Sequence, residues 1–226
     1  MRILYINPNS TEAMTLGVVE AARTALPGAE VIGWTNADGP PAIQGPEDGA
    51  AAVAGVRALL PKAREIGAEV IVIACFDDTG LDELRRAAHC PVIGIGQAAY
   101  HMAALLGAPF SVVTTLPVSV PVLEENLTSY GFGPLCRRIR PSGLAVLEVE
   151  AAQPPALARL AEELAMAEAE DGIATAILGC AGMAPLAEGL QAASGLRLID
   201  GVRASALLAA ALCGLARPLA LPGAPG

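Results

Sequence analysis

The chain has 226 residues, of which 54% are hydrophobic and 3% aromatic, with 23 acidic against 14 basic side chains and a net charge of −9. This balance repels phosphate backbones and anionic lipid, and few rings are on hand to stack on bases, so nucleic acid and membrane surfaces are excluded as expected partners. No apolar stretch is long enough for a signal core or a spanning helix, and the five scattered cysteines read as reduced thiols, so a cytoplasmic setting is expected.

In chain order, short β-branched runs alternate with Ala-rich helical stretches, the pattern of parallel strands joined by helical crossovers. Strands are predicted over 2–6, 29–33, 69–75 and 92–95, then over 110–114, 136–140, 174–180 and 197–200. Between them the helical spacing predicts 12–26, 47–66, 81–88, 97–106, 118–130, 155–170, 183–193 and 202–215. The strand cores are nearly continuous apolar runs, as expected where helices cover both faces of a parallel sheet.

The strands fall into two sets of four that superimpose. Residues 3–7 correspond to 110–114 and Ile32 to Ile139, both 107 positions apart; Cys75 corresponds to Cys180 and Ile93 to Leu198, both 105 apart. The expected fold is α/β: two pseudo-symmetric lobes, each a four-stranded parallel sheet flanked by helices. The lobes are expected over 1–96 and 97–200, with a last helix over 201–216 returning to the first lobe and a loose Pro- and Gly-rich tail over 217–226.

Cys75 and Cys180 sit in the same local grammar. Val70-Ile71-Val72-Ile73-Ala74-Cys75 is a buried strand followed by Phe76-Asp77-Asp78-Thr79-Gly80 and a helix; Thr175-Ala176-Ile177-Leu178-Gly179-Cys180 is another, followed by Ala181-Gly182-Met183. Open α/β sheets bind ligands beyond the carboxyl ends of their strands. Both thiols are expected at that edge, near helix starts whose free amides and dipole lower a thiol pKa. Two facing lobes would put one thiol on each side of a cleft, which is the geometry of two-base racemisation beside a carbonyl. Asn9, Phe76, Asp77, Thr115, Ala181 and Gly182 are the expected substrate contacts, the last two and Asp77 through their backbone.

The remaining candidates read as structural. Cys90, Cys136 and Cys213 are small core hydrophobes, and at least one of Asp77 and Asp78 is expected to cap the helix beginning near Leu81. His89 reads as a solvated loop residue and His101 as a packing or capping one. Glu162, Glu163, Glu168 and Glu170 read as a solvated helix face. No spacing of metal ligands, dinucleotide fingerprint, Walker sequence or nucleophile elbow is complete, so no metal and no cofactor are expected.

The motifs Ile6-Asn7-Pro8-Asn9-Ser10-Thr11, Ile73-Ala74-Cys75-Phe76, Val112-Val113-Thr114-Thr115, Leu178-Gly179-Cys180-Ala181-Gly182-Met183 and Asp200-Gly201-Val202 occur in order along nearly the whole chain. On them the chain resembles the aspartate/glutamate/hydantoin racemase superfamily, and most closely its hydantoin/allantoin racemase branch. The resemblance implies a two-lobe fold and proton transfer by the two cysteines without metal or cofactor. Phe76-Asp77 and Ala181-Gly182 stand where amino-acid racemases of the superfamily tend to carry Asn-Thr and Thr-His or Thr-Glu, which implies a cyclic amide such as a 5-substituted hydantoin or allantoin as substrate. Asp77 and Thr79 depart from the Gly and Pro of the hydantoin racemase pattern, and Gln97 from a common acidic residue. The rival readings are an aspartate/glutamate-type racemase, a maleate-isomerase-like enzyme with one nucleophilic thiol, and a non-catalytic small-molecule binder. The apolar area left for the surface predicts a homo-oligomer.

Overall fold

The computed structural model describes residues 1–216, so the tail expected over 217–226 lies outside the described residues. The first half runs β1 (Arg2–Asn7), α1 (Glu12–Ala25), β2 (Glu30–Thr35), α2 (Pro46–Ala58), α3 (Leu60–Glu65), β3 (Val70–Ile73), α4 (Leu81–Ala87), β4 (Val92–Gly94) and α5 (Ile95–Leu105). The second runs β5 (Phe110–Thr114), α6 (Val120–Ser129), β6 (Cys136–Pro141), α7 (Val146–Glu150), α8 (Pro154–Glu170), β7 (Thr175–Leu178), α9 (Ala187–Ala192), β8 (Arg197–Asp200) and α10 (Gly201–Ala216).

Two four-stranded sheets result, ordered β2-β1-β3-β4 and β6-β5-β7-β8, and every strand pair is parallel. In each sheet the chain winds outward in one direction from the first strand and in the other from the third. The switch points therefore lie between β1 and β3 and between β5 and β7, where loops leaving adjacent strands diverge and open a crevice.

Alternation along the central strands divides the core. Ile3 and Tyr5 of β1 and Val70 and Val72 of β3 join an apolar cluster that continues through Phe110, Val112 and Ile177 of the second sheet. Leu4, Ile6, Ile71 and Ile73 point the other way, onto Val56, Leu60, Ala63 and Leu84 of α2, α3 and α4. One core thus joins the two sheets. Helix α10 adds to it by packing on α1 and α5 and touching both sheets, and Tyr5 Oη meets Ser205 Oγ there at 3.0 Å.

Several elements differ from their sequence reading. The single helix expected over 47–66 breaks at Leu59, with Pro61 in the first turn of α3, where its missing N–H leaves no bond unmade. The helix expected from Met183 begins as a 3₁₀ turn over Ala181–Leu186 containing Pro185. Both cysteine strands stop two residues short of the thiols, at Ile73 and Leu178. The 107-position offset is kept where Tyr5 pairs Val72 and Val112 pairs Ile177. On the flanking strands Ile139 answers to Gly33 and Ile199 to Ile93, one residue away from the expected Ile32 and Leu198 pairings. β6 also carries one extra residue between its pairings to Phe110 and Val112.

Glu163 is not on a solvated face. It is buried and bonded to Arg140 and Arg159. Arg140, itself buried, also makes bonds of 2.7 and 2.6 Å to Asp171 and one of 2.7 Å to Glu170, tying β6 to the end of α8. Removing one partner of a buried ion cluster strands the others without compensation. Arg140→Ala is therefore expected to lower stability by about 3–5 kcal/mol, read as a shift of the denaturant midpoint at unchanged slope.

Candidate active site

The loops leaving the four central strands converge. After β1, Asn7 folds the chain back on itself: its Nδ2 donates to Asn9 Oδ1 at 2.9 Å and to Thr15 Oγ1 at 3.1 Å, and its Oδ1 accepts from the Asn9 amide at 3.1 Å. Asn9 Oδ1 also accepts from the Thr11 amide at 2.9 Å. Asparagine can close such tight turns with its own side chain, and the result holds Asn9 facing inward. After β5, Thr114 Oγ1 donates to the Gly179 carbonyl at 2.9 Å. This fixes the loop that carries Thr115 against the one that carries Cys180.

Between these loops lies a cavity of about 20 Å³. Cys75 and Cys180 line it from separate sheets, together with Asn9, Phe76, Asp77, Thr115 and Ala181. Of the expected contacts only Gly182 is outside it. Sequence reasoning missed Met14, Ile43, Ser119 and Val146 on the same wall. Ser119 and Val146 carried no signal beyond their own segments, and Met14 and Ile43 reach the cavity only through the folding of the first lobe. A space this small holds little more than one water. Where loops from the two halves meet, Gln44 Oε1 accepts from the Val146 amide at 3.1 Å.

The two thiols share one local device. The amide two residues on faces each sulfur and favours its charged form, Asp77 N–H for Cys75 and Gly182 N–H for Cys180. These loop amides replace the α-helix starts that the sequence reading expected, since α4 begins only at Leu81 and Cys180 heads a 3₁₀ turn. The pKa direction is also reversed. Burial raises Cys75 well above the ordinary thiol value, the Asp77 charge adds to this, and the Thr79 hydroxyl and Asp77 amide oppose it. The Thr79 Oγ1 is buried and makes no hydrogen bond of regular geometry, so this is a weak, sulfur-directed contact. Burial likewise pushes Cys180 up to about 12, against the Gly182 amide and with the Asp77 charge. Taking a lone charge out of water outweighs one or two amide dipoles.

Neither aspartate caps α4, whose N-cap is Gly80 in the left-handed region. Asp78 instead accepts from the Gly96 and Gln97 amides at 2.9 and 2.7 Å, at the start of α5, and from Tyr130 Oη at 3.0 Å. Its own backbone is left-handed, with φ +52°. The next residue back is held from α6, where Asn126 Nδ2 donates to the Asp77 carbonyl at 3.0 Å. The Cys75 loop is thus tied to the second lobe at two points. The Asp77 side chain does no such work: its Oδ2 is buried without a hydrogen-bond partner.

The other candidates have structural places. Phe76 packs edge-on against Tyr100 with ring centres 5.5 Å apart. His101 Nδ1 lies 2.8 Å from the Gln97 carbonyl and its ring stands edge-on to Phe132. His89 is half-buried, with Nε2 2.9 Å from the Ala68 carbonyl. Cys90 and Cys136 are half-buried and pack against the two core clusters, and Cys213 is buried. Among the described residues no group of three or more His, Cys, Asp or Glu is arranged to hold a metal ion, and no helix is long and apolar enough to cross a membrane.

Burial pushes the Asp77 carboxyl up to about 7, whereas an unfolded aspartate titrates near ~3.9. Between those pH values the folded chain binds the extra proton, so this group's contribution makes stability fall as pH rises, levelling off above neutrality. Asp77→Asn is expected to gain stability relative to the parent chain between about pH 4 and about pH 7. Unfolding free energies measured at both ends check it, and a difference that does not change with pH refutes it.

Comparison with known proteins follows the same lines. The Asp/Glu/Hydantoin racemase family model matches residues 3–209. A hydantoin racemase of Rhizobium meliloti is 42% identical over 215 residues, covering 95% of this chain and 89% of that protein. The structure of an allantoin racemase from Klebsiella pneumoniae superposes with a TM-score of 0.91 at 38% identity, over 95% of this chain and 88% of that one. An allantoin racemase from Pseudomonas fluorescens gives 0.87 at 33% identity, over 95% and 92%. With both halves of the sheet pattern and both cysteine loops inside the matched region, the chain belongs to the Asp/Glu/Hydantoin racemase family.

Proposed function

We propose that this racemase inverts C5 of a 5-substituted hydantoin or allantoin by proton transfer between Cys75 and Cys180, without a cofactor. The single observation behind the reading is that two sulfurs from different sheets border one cavity. One thiol, as thiolate, takes the C5 proton, and the C–H electron pair passes into the adjacent carbonyl to give a planar enolate. The opposite thiol protonates the other face, and the roles of the two sulfurs are exchanged for the next turnover. Asn9, Thr115 and the Ala181 backbone border the cavity and are taken as the hydrogen-bond partners of the ring, while the amides of Asp77 and Gly182 serve by facing Cys75 and Cys180. Phe76 forms part of the apolar wall.

The hydantoin and allantoin racemases among the relatives support a cyclic-amide substrate. The mostly apolar wall, broken by a few hydrogen-bonding groups, suits a small neutral ring. Both thiols must stay reduced, which fits the cytoplasm. Exposed Leu16, Leu105, Leu207 and Leu215 favour self-association into a homo-oligomer.

The test is racemisation in deuterium oxide by the parent chain and by Cys75→Ser and Cys180→Ser. Each variant is expected to lose racemisation by about 10²–10⁴-fold. Each should still exchange the C5 hydrogen of one enantiomer only, opposite for the two. Full racemisation by either variant excludes a two-base scheme, and binding without any exchange returns the protein to the class of inert binders.

A further inference from the structure

Among the described residues, Asp77 is the only charged side chain on the cavity wall. Its Oδ2 is buried and unpartnered, it caps no helix, and the bond that holds its segment to α6 uses its backbone carbonyl rather than its carboxylate. A buried carboxylate oxygen with no hydrogen-bond partner costs stability. Its charge also acts on both thiols, raising Cys75 and Cys180 against the formation of thiolate. A group that hampers the resting site in both respects is accounted for if the substrate supplies its missing partner.

The chemistry of that partner follows from the acceptor. An ionised carboxylate only accepts, and it is best satisfied by two parallel N–H bonds. The two ring N–H groups of a hydantoin point away from each other on either side of a carbonyl, so the ring offers a carboxylate one bond at most. An acyclic ureido group carries two N–H bonds side by side, on the edge opposite its carbonyl. An alkyl or aryl substituent carries none and would leave the charge buried and unpaired.

We infer that Asp77 is a specificity-determining residue, whose carboxylate receives the paired N–H donors of a ureido substituent on C5 and selects against alkyl and aryl substituents. This rests on the hydantoin reading above and narrows it. Pairing draws the carboxylate's charge into two hydrogen bonds and relieves the repulsion on both sulfurs. The preference is therefore expressed in turnover as well as in binding.

The experiment measures kcat/KM for racemisation of allantoin and of 5-isopropylhydantoin by the parent chain, Asp77→Asn and Asp77→Gly. The asparagine keeps the shape and breaks no hydrogen bond of the Oδ2 atom, and the glycine removes the group. The parent chain is expected to prefer allantoin by about ten- to hundredfold, the range set by hydrogen bonds to a charged group. Both variants should lose most of that preference through slower turnover of allantoin, with the isopropyl compound turned over faster because the charge opposing both thiolates is gone. An unchanged ratio in both variants overturns the inference, as does an equal loss on both substrates. If the parent chain racemises neither compound, the hydantoin reading fails and this inference with it. If it racemises both equally well, and does so only with both cysteines present, the hydantoin reading stands and the role of Asp77 alone is refuted.

Discussion

Two thiols and a carboxylate share one small, buried space, and burial pushes all three toward their neutral forms. Acid/base chemistry at carbon needs the opposite, at least one thiolate, in surroundings that exclude bulk water. The tension is inherent in the reaction. A wetter cleft would ionise the sulfurs more readily but would weaken each hydrogen bond offered to the enolate and let solvent compete for the proton. The resting site is too small to admit bulk water. The structure places one amide against each sulfur, close enough to favour the charged form and too weak to hold it permanently.

The fold imposes this arrangement through backbone bonds. Parallel pairing sends the carboxyl ends of β1 and β3 to one edge of the first sheet and those of β5 and β7 to one edge of the second. The loop after β3 is then fixed from three sides: Asp78 on the amides of α5, Tyr130 on Asp78, and Asn126 on the Asp77 carbonyl. Gly94 and Gly96 leave room for that loop. A Cβ on Gly94 would collide with the Asp78 carboxylate, and one on Gly96 with the Phe76 carbonyl. The run Gly94-Ile95-Gly96 thus serves the close approach of two chain segments.

Much of this was legible in the residues and some was not. Strand runs such as 70–73 and 110–114 are apolar on both faces because helices cover both, and that pattern survives without knowledge of the fold. The repeat could be read from Cys75 and Cys180 because each thiol follows the end of a buried apolar strand by two residues. It slipped by one residue at Ile32 and Ile93, because the register of a flanking strand is set by pairing and has no mark in composition. Asp78 was misassigned to the nearest helix, since sequence proximity says nothing of a helix start at residue 95. Glu163 looked solvated because a helical wheel counts charges and does not see Arg140 arriving from β6. The direction of the thiol pKa values was the largest misreading. Local amides can be inferred from a sequence, whereas depth of burial is a property of the assembled lobes.

The repeat is symmetric in backbone and asymmetric in charge. At the same position after the cysteine, 105 residues apart, stand Asp77 in one lobe and Gly182 in the other. Both supply an amide to their sulfur, but only the first adds a carboxylate. The two thiols therefore cannot be equivalent as acid or as base, although the reaction joins enantiomers of equal free energy. Equal free energy requires equal kcat/KM in the two directions and leaves kcat and KM free to differ together. An asymmetric pair of sulfurs is compatible with a racemase for that reason. Whatever Asp77 does to the ionisation of Cys75 must appear as matched changes in turnover and half-saturation for the two enantiomers, never as a bias in the final mixture.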